Sequence, residues 1–173
     1  MNINSVSKNS SRANSAFLIG FFTILGAWAF ELIGGYQPCE LCLQQRLPYY
    51  IGLPILVLII AFWDRIPTIF RIVLTLIVAA IFAWGAYMGT FHAGFEWGFW
   101  EGPISCASPS ESTGLSFDAL NDLSNAQVVP CDKPQFRMFG ISFAGYNAII
   151  SSIIFVILLL SAKGQYNRMK KNS

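Results

Sequence analysis

The chain has 173 residues, of which 54% are hydrophobic and 12% charged, with a formal net charge of +2. A soluble domain of this size carries roughly 25% charged residues. The deficit excludes an ordinary soluble fold and points to several membrane spans with little room for a separate soluble domain.

Met1 to Ser15 is polar, with Lys8 and Arg12 among many Ser and Asn, and reads as a disordered tail. Residues 16–33 form a first apolar run, broken by Thr23 and by Glu31 near its end. A charged start before an apolar run also describes a signal peptide. Against that, the run is long and no small-x-small cleavage site precedes Gly34. Residues 47–63 are a second, shorter run, 72–91 a third, and 141–162 a fourth that is strongest from Ala148 to Leu160. A helical span needs about 17–25 residues, so all four qualify, the second with help from interfacial flanks. Pro48 falls in the first turn of the second span, where a missing N–H costs little. Pro54 lies inside it and predicts a kink. The expectation is an all-α, four-transmembrane-helix bundle forming one domain over residues 1–173, with loops at 34–46 and 92–140.

Charge gives the orientation. Lys8, Arg12, Arg65, Arg71, Lys163, Arg168, Lys170 and Lys171 share one side of a four-span chain, leaving Arg46, Lys133 and Arg137 on the other. The positive-inside rule then puts both termini in the cytoplasm. The two loops that carry cysteine then fall outside, in the periplasm if the host is a bacterium with two membranes, on the oxidising side where disulfides persist.

The long loop opens on Trp97, Phe99 and Trp100, residues that suit a membrane interface. Its acids outnumber Lys133 and Arg137, and Leu115 to Val128 shows a weak helical face that would suit a short interfacial helix. Pro103, Pro109, Pro130 and Pro134 bracket Cys106 and Cys131, which places both thiols on non-helical backbone.

Chemistry concentrates at Cys39-Glu40-Leu41-Cys42, followed by Arg46. Two thiols at C-x-x-C spacing close a small ring, and a nearby helix N-terminus or cation favours the reactive thiolate. Cys42, ahead of the second span and near Arg46, is the expected anion. Cys106 and Cys131 make a second pair, either an exposed redox disulfide or a loop staple worth about 3 kcal/mol. A zinc site built from all four cysteines is disfavoured, because the second pair is not C-x-x-C spaced. Arg46 fits either a snorkelling interfacial charge or a partner for a quinone carbonyl. His92 fits either an interfacial polar residue or a hydrogen bond to the same headgroup. Gly85 and Gly89, at G-x-x-x-G spacing, predict close helix packing.

Taken in order, these features resemble the disulfide bond formation protein B (DsbB) family of bacterial inner membranes. The resemblance covers Ala16 to Leu160: the four spans, the Cys39/Cys42 pair with Arg46, His92 ending the third span, Cys106 and Cys131, and Phe139-Gly140-Ile141-Ser142 entering the fourth. It implies a membrane enzyme that reoxidises a DsbA-like periplasmic thioredoxin-fold protein and passes two electrons to ubiquinone or menaquinone in the lipid bilayer. Cys106 would be attacked by the partner, Cys131 would attack Cys39, and Cys42 would meet the quinone, held by Arg46 and His92. No metal and no nucleic-acid partner are implied. Gln45 replaces an acid of the best-known member, and Phe136 replaces a tryptophan. Rival readings are a membrane protein with two static disulfides, a sibling oxidase dedicated to one partner, and a transporter. The last is disfavoured by spans with almost no buried charge beyond Glu31.

Overall fold

The computed structural model describes residues 3–101, 131, 134 and 136–172. In chain order these form α1 (Ile3–Leu32), α2 (Glu40–Gln44), α3 (Leu47–Ala61), α4 (Thr68–Glu96), a hairpin of β1 (Arg137–Met138) and β2 (Ile141–Ser142), and α5 (Phe143–Asn172). Among the described residues, four stretches are long and apolar enough to cross a membrane: Asn9–Leu32, Glu40–Ala61, Thr68–Glu96 and Phe143–Lys171. The fold is therefore the expected all-α four-helix bundle of a multi-pass membrane protein. Cys106 and the weak helical face at 115–128 lie outside the described residues.

The bundle pairs α4 with α5 most extensively, sets α3 against α4, and packs α1 against α5 and α3. Leu56, Ile59, Phe82, Ile154 and Leu158 fill its centre, while Phe22, Leu58, Phe70, Trp84 and Ile153 face outward. An apolar exterior suits lipid. It also means that burial of apolar surface cannot by itself hold the helices together, so close packing and polar contacts must. Gly89 provides the closest approach: a Cβ there would stand 2.7 Å from the backbone N of Ala148 and 2.9 Å from its Cα. At Gly85 a Cβ would meet Pro48 Cγ at 3.1 Å, so the G-x-x-x-G face does pack as its spacing predicts.

The amino terminus departs from expectation, since α1 begins at Ile3 and the polar stretch expected to be disordered is helical. Tertiary contacts override the weak helix propensity of its Ser and Asn residues. Ser161 Oγ donates to the buried Asn9 carbonyl at 3.1 Å, and Arg12 Nη1 donates to the Leu160 carbonyl at 2.8 Å. The second span is built from two pieces, α2 and α3, with Pro48 in the first turn of α3 and the helix continuing through Pro54.

Two further details position the site. Helix α4 runs on to Glu96, so His92 and Glu96 stand one turn apart on the same helix. The β1–β2 hairpin turns on Phe139 (φ 51°) and Gly140 (φ 82°), both left-handed as a tight two-residue turn requires. Arg137 pairs with Ser142 and Met138 with Ile141. Ser142 Oγ then accepts the Gly145 N–H at 3.3 Å and caps α5.

Candidate active site

Cys39 is the N-cap of α2, with extended backbone (φ −76°, ψ 172°), and its sulfur accepts the Cys42 N–H at 3.3 Å. That bond satisfies one of the free donors at a helix start. The C-x-x-C spacing brings Cys42 back one turn later, and the two free sulfurs stand 2.7 Å apart. A disulfide needs about 2.05 Å, so the bond closes with under about 1 Å of movement.

The surroundings of this pair favour the anion on Cys39. Its hydrogen bond with the Cys42 thiol outweighs the opposing effect of burial and is assisted by His92, so the Cys39 thiol falls from its ordinary 9.0 to about 5. The sequence favours a thiolate at Cys42, and two features of the fold bear on that expectation. Cys39, not Cys42, caps the short helix, and the Arg46 guanidinium expected to favour Cys42 is paired with Glu31 at 2.5 Å.

His92, 2% exposed, connects this pair to the second loop. Its Nε2 stands 3.2 Å from the Cys131 carbonyl oxygen and 3.9 Å from Cys39 Sγ. A carbonyl only accepts, so Nε2 carries hydrogen, and in the neutral ring Nδ1 must accept. Gln45 Nε2 supplies that hydrogen at 2.7 Å. The Gln45 amide is oriented in turn by Asn147 Nδ2, which donates to its Oε1 at 2.8 Å, and Asn147 Oδ1 accepts from Tyr49 Oη at 2.7 Å. Three helices thus fix one tautomer of one imidazole.

Cys131 is buried in an apolar cluster with Cys39 and Leu41, against Met88 and Phe95, and is held in a disulfide. The site therefore gathers Cys39, Cys42, His92 and Cys131 at one end of the bundle; Cys106 is outside the described residues. Cys39, Cys42 and His92 place three soft ligand atoms within 4.8 Å of one another. Both ring nitrogens of His92 already serve the hydrogen-bond chain, one towards Gln45 and the other towards the Cys131 carbonyl.

A cavity of about 310 Å³ opens beside the pair, with Cys39, Cys42, Gln45, Arg46, His92 and Glu96 on its polar side. Phe30, Tyr36, Phe136 and Phe143 form an aromatic wall: Phe136 stacks on Phe143 at 5.3 Å, and Phe30 meets Phe143 edge-on at 4.9 Å. Apolar walls with a few convergent polar groups are what a flat, carbonyl-bearing ring requires, so these residues fit a quinone headgroup. Phe136, a departure from the best-known family member, supplies one of the rings.

Three participants were not identified from sequence as site residues. Gln45 was read only as a departure, Glu31 as interfacial, and Glu96 as one acid of the long loop. The signal available for Glu96 was its i+4 spacing from His92, which places it on the same face if the helix continues.

The comparisons agree with this geometry. The family described as disulfide bond formation protein DsbB matches residues 11–161. An uncharacterized protein of Rickettsia prowazekii (strain Madrid E) is 27% identical over 164 residues, covering 91% of each chain. No solved structure matches. The chain belongs to the DsbB family of disulfide bond formation proteins.

Proposed function

We propose that the protein reoxidises a DsbA-like periplasmic thioredoxin-fold protein and passes the two electrons to ubiquinone or menaquinone in a bacterial inner membrane, with both termini cytoplasmic and both cysteine loops periplasmic. The observation that carries this reading is the reach of His92, whose Nε2 faces the Cys39 sulfur and the Cys131 carbonyl together. One side chain thereby holds the two redox loops side by side. The loop charges support the orientation.

In the proposed relay, the partner's thiolate attacks Cys106 of a Cys106–Cys131 disulfide, forming a mixed disulfide and releasing Cys131 as a thiolate. Cys131 then attacks Cys39 of the closed Cys39–Cys42 pair. The Cys131–Cys39 bond forms, the Cys39–Cys42 bond breaks, and the electron pair leaves on Cys42. The partner's second thiolate then forms the partner's own disulfide and releases Cys106, which attacks Cys131; the Cys106–Cys131 bond re-forms, the Cys131–Cys39 bond breaks, and the first loop is left as the two-electron-reduced dithiol. This gives each sulfur of the first loop its turn as the anion: Cys39 in the free dithiol, where it caps α2, and Cys42 once Cys39 is committed to Cys131. A bound quinone supplies the two-electron acceptor beside Cys42. The Arg46 guanidinium, paired with Glu31, would hold one of its carbonyl oxygens, and His92 would stand against the ring at the cavity wall, while the aromatic wall excludes water.

The energetics favour such an acceptor. A DsbA-type oxidant lies near about −120 mV, and a glutathione pool at about −200 mV is too reducing to regenerate it, by nearly 4 kcal/mol for two electrons. To test the reading, purified dithiol protein is mixed with a soluble quinone and its free thiols are counted. Loss of the Cys39 and Cys42 thiols with matching quinol formation is expected; a dithiol indifferent to quinone would refute it.

A further inference from the structure

We propose that Glu96 is the proton store of this centre, supplying to the cavity the proton that the cysteine pair does not carry; the inference rests on the reading that the pair delivers its electrons to a quinone. Reduction of a quinone to a quinol takes up two electrons and two protons. The nucleophilic form of a dithiol has one sulfur as thiolate, and two sulfurs 2.7 Å apart share the single proton that remains. Closing the disulfide releases two electrons and that single proton. The second proton must come from another group.

Glu96 is placed to provide it. Its side chain is 5% exposed and lines the same cavity as Cys42. Oε1 stands 3.6 Å from His92 Nε2, and Oε2 is sealed from solvent with no hydrogen-bond partner among the described residues. A sealed, unpartnered oxygen is costly on an ionised carboxylate and much less so on a protonated one. Glu96 gives its proton directly into the cavity it lines, while the Nε2–H of His92 keeps its bond to the Cys131 carbonyl. The carboxylate left behind is reloaded from solvent.

The groups around Glu96 suit this role. Cys39 and Cys42 face it from α2 and its cap, Arg137 from the hairpin, Ser142 with its hydroxyl from β2, and His92 from its own helix. Arg137 offers the transient carboxylate a positive neighbour. In the same cavity, the charge of Arg46 is balanced by Glu31.

The test joins a spectrum to a rate. Infrared spectra of the reduced, quinone-free wild-type protein are expected to show a protonated-carboxyl band that is lost in Glu96→Gln and restored in Glu96→Asp. Reoxidation of the dithiol by a soluble quinone is expected to slow roughly tenfold or more in Glu96→Gln. The deficit should grow as pH rises, because solvent must then supply the proton, and Glu96→Asp should recover part of the rate. A wild-type protein without the band, or a Glu96→Gln variant with an unchanged rate and pH profile, overturns the inference. A wild-type protein that keeps the band but leaves quinone unreduced overturns instead the functional reading, and with it the destination of the proton.

Discussion

His92 and Cys131 are joined by a hydrogen bond from an imidazole N–H to a backbone carbonyl, at 3.2 Å, across 39 positions of sequence. It ties the end of α4 to the second cysteine loop and sets Cys131 in the same apolar cluster as Cys39. Replacing His92 with Ala strands the Cys131 carbonyl and the Gln45 amide in a buried site, at a cost of roughly 1–3 kcal/mol. Exchange between the two cysteine pairs should slow as the loop loses its tether. Acid trapping and non-reducing electrophoresis would show less Cys39–Cys131 disulfide in His92→Ala at early times. An equal yield would mean that the loop is held by other contacts.

The reactivity of the dithiol should follow the depressed Cys39 thiol. The thiolate is the nucleophile, and here the thiol is lowered to about 5 by its hydrogen bond with Cys42 and, against burial, by His92. Because the folded value is depressed, the reactive anion is present above about pH 5 and is lost as pH falls through it. Alkylation of Cys39 in the reduced protein should therefore hold nearly constant from about pH 8 down to about pH 6. In Cys42→Ser, where a hydroxyl replaces the thiol that shares the hydrogen bond, the midpoint should move upward. An alkylation rate that already falls tenfold per pH unit below about pH 8 would contradict the assignment of the anion.

Helix packing makes a separate claim. A methyl group at Gly89 would press on the backbone of Ala148, which cannot rotate away. Gly89→Ala should lower stability in detergent by roughly 1–3 kcal/mol. Gly26 has nothing within 4 Å of where a methyl would stand, and Gly26→Ala should be neutral or stabilising by up to about 1 kcal/mol. Thermal denaturation of the two variants side by side checks both.

Much of this arrangement can be read in the sequence, and the exceptions have physical causes. Hydropathy locates the four spans because lipid demands long apolar helices. The C-x-x-C pair and Arg46 stand out because cysteines number four and only 12% of the residues are charged. Hydropathy ends the third span at residue 91, yet a helix stops where its hydrogen bonds stop, and α4 continues to Glu96. That extension turns a loop acid into a neighbour of His92. The chain from Tyr49 through Asn147 to Gln45 is invisible to local pattern, since its partners lie 98 and 102 positions apart. The helical amino terminus is hidden for the same reason, being held by contacts to Leu160 and Ser161.

Arg46 and Glu31 form a pair with side chains 14% and 29% exposed. Arg46→Ala removes a guanidinium from the cavity and should raise the KM for a soluble quinone about tenfold, a loss of about 1.4 kcal/mol of binding. Glu31→Gln keeps that charge and should change KM in the opposite direction or very little. Steady-state quinone reduction by the purified variants separates the two, and a KM indifferent to Arg46 would remove it from the quinone site.

The most direct test of the relay follows quinone reduction optically after a reduced DsbA-like protein is mixed with the purified oxidised enzyme. The wild-type protein should reduce one quinone for each partner dithiol oxidised. Cys106→Ser should leave both unchanged. Cys42→Ser should stop quinone reduction while still forming a mixed disulfide with the partner. Quinone reduction by Cys42→Ser at the wild-type rate would contradict the central claim that the electrons leave through the Cys39–Cys42 pair.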